Sequence, residues 1–157
     1  MIDYLLIKLI PADESHREFG YQVKKAAMGG YITQIWGWDE KVQKNLHAGD
    51  WRQKRPQIIL YDSKPVGTIR IVSNEERLEI EQFYILPEYQ NKGIGSHLLK
   101  HMLDNADKTG LSAKLTVLKI NPAISLYRRH GFEIIDSNEI SYFMERKPDR
   151  STNKGGI

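Results

Sequence analysis

Residues 78–109 carry the pattern that most restricts the fold. A strand-like run over 78–86 is stopped by Pro87, and the loop Gln90-Asn91-Lys92-Gly93-Ile94-Gly95-Ser96 follows. An amphipathic helix is predicted over 96–109, with Leu98, Leu99, Met102, Leu103 and Ala106 as its apolar stripe and Gly110 as its stop. A strand that feeds a helix through a short loop is a building unit of mixed α/β folds. The glycines let successive N–H groups turn inward, and the helix adds its positive end. The loop therefore suits a pyrophosphate, with Lys92 supplying charge at the rim. Three other glycine loops are excluded. A dinucleotide loop needs a third glycine where Leu98 stands. A Walker loop needs Gly-Lys-Ser/Thr after four spacers. A kinase loop needs downstream lysine and acid partners. On the glycines alone, a structural turn with no ligand explains the loop equally well.

The rest of the chain supplies a sheet and further helices. Strands are predicted over 4–9, stopped by Pro11, and over 58–61 and 66–72, a hairpin around Asp62-Ser63-Lys64-Pro65. A helix is predicted over 13–25, capped by Asp13 or Ser15, with Phe19, Val23 and Ala26 on one face and Gly29-Gly30 as its end. Residues 31–37 read as a short helical or irregular piece. A second helix over 39–47 sets Val42 and Leu46 one turn apart. Alternating Leu111, Ala113, Leu115 and Val117 mark another strand. Asn121-Pro122 predicts a helix with Asn as N-cap and Pro in first position, ended by Gly131. A closing hairpin is predicted over 132–135 and 140–146. The order is β-α-α-β-β-β-α-β-α-β-β: a mixed α/β (α+β) fold on a partly antiparallel sheet. One domain is expected over 1–148, with a polar, disordered tail over 149–157.

Composition narrows the function classes. The 157 residues amount to one domain, and 40% hydrophobic content can build one core. No apolar run approaches the roughly 20 residues of a membrane span. Met1 leads at once into a strand-like run over 2–10, so no secretory signal is expected and the predicted location is cytoplasmic. Cysteine is absent, which removes disulfides, thiolate metal sites and a cysteine nucleophile. The net charge of +3 is modest and comes without a basic run interleaved with aromatics, so nucleic acid is not an expected partner. A phosphate-bearing cofactor suits that charge. His97 and His101 lie one helical turn apart with no evident third ligand, so no metal is expected.

Gln90-x-x-Gly93-x-Gly95, after Tyr84-Ile85-Leu86-Pro87-Glu88-Tyr89, resembles the coenzyme A-binding segment of the GNAT acetyltransferase superfamily. Asn121-Pro122-Ala123-Ile124-Ser125-Leu126-Tyr127-Arg128-Arg129-His130-Gly131-Phe132 is similar to that family's second signature, at the usual separation. The resemblance covers roughly residues 55–146. It implies helices on both sheet faces and two parallel strands, 78–86 and 111–120, that splay around acetyl-CoA. The pantetheine arm would pair with backbone around Phe83, Tyr84 and Ile85, where an N–H can stabilise the developing oxyanion. Gln90, Asn91, Lys92, Gly93, Ile94, Gly95 and Ser96 would bind the pyrophosphate. Asn121 and Tyr127 would also contact the cofactor.

The implied reaction is direct attack of a primary amine on the thioester, without a metal. Glu81, and after it Glu79, is the candidate base, acting directly or through a water. Tyr127 is the candidate proton donor to the leaving thiolate. The acceptor side implied by the resemblance includes Tyr31, Trp36, Trp38, Asp39, Glu40 and Tyr142. Two tryptophans beside two acids can hold a cationic amine. Thr116 stands where relatives acting on protein N-termini often carry glutamate, which weighs against that acceptor. The expectation is an N-acetyltransferase acting on a small-molecule or protein amine, with homodimerisation a family-level expectation. The alternatives are another acyl-CoA or acceptor, or a non-catalytic acyl-CoA sensor.

Overall fold

A computed structural model describes residues 1–149; most of the predicted tail, 150–157, lies outside them. The strands form a seven-stranded sheet of order β1-β2-β3-β4-β5-β7-β6, numbered along the chain. The observed element order matches the one predicted. The chain divides into two compact units: Met1–Arg70 with Gln82–Gly95, and Ile71–Glu81 with the residues from Ser96 on.

In the first unit, Asp3 caps a 3-10 turn over Tyr4–Leu6, and β1 (Ile7–Pro11) follows. The strand thus begins three residues later than predicted and includes Pro11, which an edge strand tolerates because one side of it makes no ladder bonds. Asp13 and His16 form a capping box ahead of α1 (Arg17–Trp36). Gly29-Gly30 does not end this helix, and 31–37 is no separate piece up to Trp36. A glycine stops a helix when it turns left-handed, and neither does. The Thr33 hydroxyl donates to the Gly29 carbonyl at 2.7 Å, and the stop falls at Gly37, with φ of 79°. Val23 is fully buried on this helix, whereas Ala26 faces solvent.

Asp39 caps α2 (Glu40–Gln53), accepting from the Val42 N–H at 3.1 Å. The predicted apolar pair is not its core face: Val42 and Leu46 are exposed, and the helix instead buries Trp51. Trp51 packs with Ala12 and Ile58. The predicted hairpin is present as β2 (Gln57–Tyr61) and β3 (Lys64–Ser73), antiparallel, joined by Asp62 and Ser63 at φ of 48° and 66°. Two consecutive left-handed residues suit the twist of such a turn.

Strand β4 (Arg77–Ile85), of which only 77–81 belong to the second unit, begins after a turn in which the Asn74 side chain accepts from the N–H groups of Glu76 and Arg77. The β4 ladder with β5 (Ser112–Leu118) is parallel over Arg77–Ile80 and Ser112–Leu115. Helix α3 (Ile94–Thr109) buries the five residues of its predicted stripe. Ala113, Leu115 and Val117 of β5 are buried as their alternation required.

Helix α4 (Ile124–Arg129) starts later than Asn121-Pro122 suggested. Asn121 is not its N-cap: its side-chain oxygen accepts from the Ala123 N–H at 2.9 Å, closing a local turn. Strands β6 (Glu133–Ser137) and β7 (Ser141–Arg146) make the closing hairpin, with a register shift between Ile134 and Asp136. Arg146 on β7 holds Asp107 of α3 with two bonds, 2.8 and 3.0 Å, and donates from Nε to the His130 carbonyl at 3.1 Å. The Asp149 N–H also donates to Asp107 at 2.8 Å.

Candidate active site

The loop after β4 is shaped by its own residues. Leu86 N–H donates to the Val66 carbonyl, and Pro87–Tyr89 forms a 3-10 turn. Gln90 Nε2 donates back to the Ile85 carbonyl at 2.8 Å, tying the loop to the end of its strand. Asn91 (φ 60°) and Gly93 (φ 93°) are left-handed on either side of Lys92, whose ammonium lies 5.7 Å from the Tyr89 ring centre. A Cβ at Gly93 would be strained and would stand 3.1 Å from the Tyr4 hydroxyl. Ile94 is fully buried and anchors the start of α3, whose first turn contains no acidic residue. The loop therefore delivers the unsatisfied N–H groups of a helix start, with no carboxylate among them to oppose an anion.

Two features of this region escaped sequence reasoning. Tyr4 walls the loop from the chain's first turn, a contact no spacing rule would reveal. Gly67 on β3 lies so close to β4 that a Cβ would meet the Tyr84 carbonyl and, at 3.2 Å, the Ile85 Cα. The glycine thus sets how β4 carries Phe83, Tyr84 and Ile85, all half-buried. Burial pushes the Tyr84 phenol above its ordinary pKa, with the Asp50 charge adding to it.

Tyr127 lies on α4, buried, with its ring edge-on to Phe132 at 5.8 Å. Its carbonyl accepts from the N–H groups of His130 and Phe132, which fixes the turn after the helix. His130 is half-buried, and its Nε2 shares a 2.9 Å hydrogen bond with the Ser96 hydroxyl in the first turn of α3. Sequence reasoning missed this pair, though His130 stands inside the second signature.

Glu79 and Glu81 alternate with the buried Leu78 and Ile80, so both point away from that core face. Glu79 is held by Arg77 at 2.7 Å, whereas Glu81 is exposed.

The acceptor candidates split. Glu40 accepts from Trp38 Nε1 at 2.7 Å and from Lys25 Nζ at 3.0 Å. The Tyr21 hydroxyl stands near the same carboxylate but makes no hydrogen bond of normal geometry, so it acts there as a nearby dipole. The Trp38 donor, then Tyr21 and Lys25, hold Glu40 down to about 2. Burial, then Glu40, pushes Tyr21 up to about 12. Trp36, by contrast, is exposed at the end of α1, Asp39 is engaged in capping α2, and Tyr31 is half-buried along α1. Tyr142 lies on β7, with the Lys119 ammonium 5.3 Å from its ring centre. Among the described residues, no group of three or more His, Asp or Glu is placed to hold a metal, and no helix is long and apolar enough to cross a membrane.

A mixed sheet in which a parallel strand hands over to a helix start free of acidic residues belongs to the phosphate-binding α/β folds. Comparison with known proteins names the family: residues 22–132 match the model of the acetyltransferase (GNAT) family, and the chain belongs to it. A probable N-acetyltransferase, san, of Drosophila melanogaster is 33% identical over 104 residues, 62% of this chain and 54% of that protein. A spermidine N(1)-acetyltransferase of Thermoplasma acidophilum is 32% identical over 88 residues, 55% of each. The chain thus spans about half the length of these curated relatives. In structure, it resembles the PaiA N-acetyltransferase of Thermoplasma acidophilum, solved in complex with coenzyme A. The TM-score is 0.69 at 20% identity, covering 90% of this chain and 98% of that one, a likeness of fold.

Proposed function

We propose that the protein transfers the acetyl group of acetyl-CoA directly to a primary amine. The observation that carries this reading is the loop over Gln90–Ser96, with left-handed Asn91 and Gly93 and an acid-free helix start. Its N–H groups and Lys92 would hold the pyrophosphate. Backbone at Phe83, Tyr84 and Ile85 would hold the pantetheine arm, and an N–H there would stabilise the oxygen as it gains charge. The amine nitrogen bonds to the thioester carbon, the carbon–sulfur bond breaks, and the thiolate takes a proton from Tyr127. Asn121 would contact the cofactor beside it. The proton leaving the amine passes to Glu81, directly or through water. Glu79, which Arg77 holds at 2.7 Å, is the second choice.

A small-molecule or protein amine, bound near Tyr31, Trp36, Trp38, Asp39, Glu40 and Tyr142, belongs to the same proposal, as do a cytoplasmic location, a homodimer and a single working domain over 1–148. Lys25 and Lys44 stand 3.0 and 3.9 Å from the Glu40 carboxylate, so a cationic acceptor binding there would compete with both. Calorimetric titration with acetyl-CoA, beside a Gly93→Glu variant, tests the loop: saturable binding that the variant loses supports it, and no binding by the folded wild type refutes it. Tyr127→Phe should lower turnover and leave acetyl-CoA binding nearly intact; equal loss of both would remove Tyr127 from its role.

A further inference from the structure

We propose that His130 is a positioning residue for acetyl-CoA: its ring sets the direction of the Ser96 hydroxyl proton and so couples cofactor affinity to pH. The inference rests on the reading of the preceding loop as the pyrophosphate site.

Ser96 has one hydroxyl proton, and His130 Nε2 stands 2.9 Å from its oxygen. If Nε2 carries no proton, Ser96 must donate to the ring and turns only lone pairs toward an anion. If Nε2 is protonated, the ring donates to the Ser96 oxygen, and the hydroxyl proton is released for a phosphate oxygen. An anion at the start of α3 therefore selects the second arrangement. Either the neutral Nε2–H tautomer or the imidazolium meets that requirement, and the imidazolium adds a positive charge.

The surroundings decide which form the free protein holds. Burial pushes His130 below its ordinary pKa, and Arg129 on α4, Arg146 on β7 and Lys100 on α3 push the same way. Among the described residues, two carboxylates meet these cations: Asp107 is bound to Arg146 through both oxygens, and Asp104 takes Lys100 at 3.1 Å. The ring is therefore neutral at pH 7. A pyrophosphate beside Ser96 opposes those same cations and raises the pKa of His130, so binding takes up a proton. By linkage, affinity then rises as the pH falls and is lost as the pH rises through the bound-state pKa. The backbone that carries the ring is held without ligand. The His130 carbonyl accepts from Arg146 Nε at 3.1 Å, and its N–H donates to the Tyr127 carbonyl at 3.0 Å.

The test is titration of the whole protein with acetyl-CoA from about pH 6 to about pH 8, where histidine titrates, in buffers of differing ionisation enthalpy. A rise of one pKa unit on binding has a limit of about tenfold well below both pKa values, so wild type should bind roughly three- to fivefold tighter at the acid end of this range, with an uptake peaking near ~0.5 proton. His130→Gln can still donate to Ser96, so it should bind but lose that uptake. Ser96→Ala should bind more weakly and keep part of the uptake, because the anion still opposes the same cations around His130. Proton uptake shared by all three proteins belongs to the cofactor's own terminal phosphate, whose second pKa is about 6. Thermal melts check that each variant is folded. Equal pH dependence in the three proteins overturns the role of His130 and leaves the proposed function standing. Absence of saturable binding by wild type overturns that function, and this inference with it.

Discussion

Replacing Arg146 by Met removes the bonds to Asp107, 2.8 and 3.0 Å, and the donation to the His130 carbonyl, while keeping most of the side chain's length. Asp107 is only 3% exposed, so water cannot replace the lost guanidinium. Removing one partner of a buried ion pair costs about 3–5 kcal/mol. At about 2–4 °C per kcal/mol for a chain of this size, the melting midpoint should fall by roughly 6–20 °C. Urea and thermal unfolding followed by circular dichroism read that loss directly. The pH dependence supplies a second check. Arg146, followed by the Asp149 N–H, holds the wild-type Asp107 carboxyl below its ordinary pKa against the opposing effect of burial. That pair contributes stability above the unfolded-state pKa, and the contribution is lost as the pH falls through the lower folded value. In the variant burial dominates and raises the folded pKa, so protonation relieves the penalty as the pH drops toward ~4. The gap between the two proteins should therefore narrow in acid. The double variant Asp107→Leu with Arg146→Met should be more stable than either single change, because no unpaired charge remains. A loss under about 1 kcal/mol would place the pair with exposed ion pairs and refute the reasoning. So would a gap that does not change with pH.

Gly67→Ala should destabilise by about 1–3 kcal/mol in urea unfolding, since backbone of β4 blocks the new methyl. Gly30→Ala meets nothing within 4 Å in helix α1 and should instead stabilise by about 0.4–1 kcal/mol; the same sign in both variants would contradict the packing. His47 is held below its ordinary pKa first by burial, so stability should fall as the pH drops through about 6.5 toward its folded value. His47→Gln should flatten that slope in unfolding measured from neutral to mildly acid pH. Trp38→Phe removes the indole N–H that lowers Glu40 most, so the Glu40 carboxyl should titrate clearly above about 2, read by NMR. Glu81→Gln should lower turnover more than Glu79→Gln under saturating substrates; the reverse order would move the base to Glu79.

What the sequence revealed was whatever local backbone chemistry decides. The α3 stripe, the Asp62-Ser63 turn and the alternation in β5 each need only neighbours along the chain, and each is present. What failed depended on distant atoms. Gly29-Gly30 reads as a stop, yet whether a glycine turns left-handed depends on what its helix packs against. Val42 and Leu46 have helical spacing, but Trp51 buries more surface and turns that face of α2 inward in their place. Asn121 has the side chain of an N-cap, yet Pro122 and Ala123 form a turn before the helix begins.

The same division runs through the candidate site. The proposed cradle is backbone, so the left-handed turns at Asn91 and Gly93 follow from residue type and spacing, while the ligand they would hold does not. The side chains expected to do chemistry were legible only as candidates, because their roles depend on what already engages them. Glu79 and Glu81 are equivalent by strand parity, and the 2.7 Å bond between Glu79 and Arg77 is invisible to that parity. Trp38 and Glu40 read as a cage for an incoming cation, yet Lys25 already sits on that carboxylate and 5.9 Å from the Trp38 ring centre. A cation binding there competes with Lys25 and with Lys44, 3.9 Å from the other oxygen, rather than filling an empty site. Its affinity is then a difference between charge contacts, and specificity for an acceptor must come from the groups around that competition rather than from Glu40 alone.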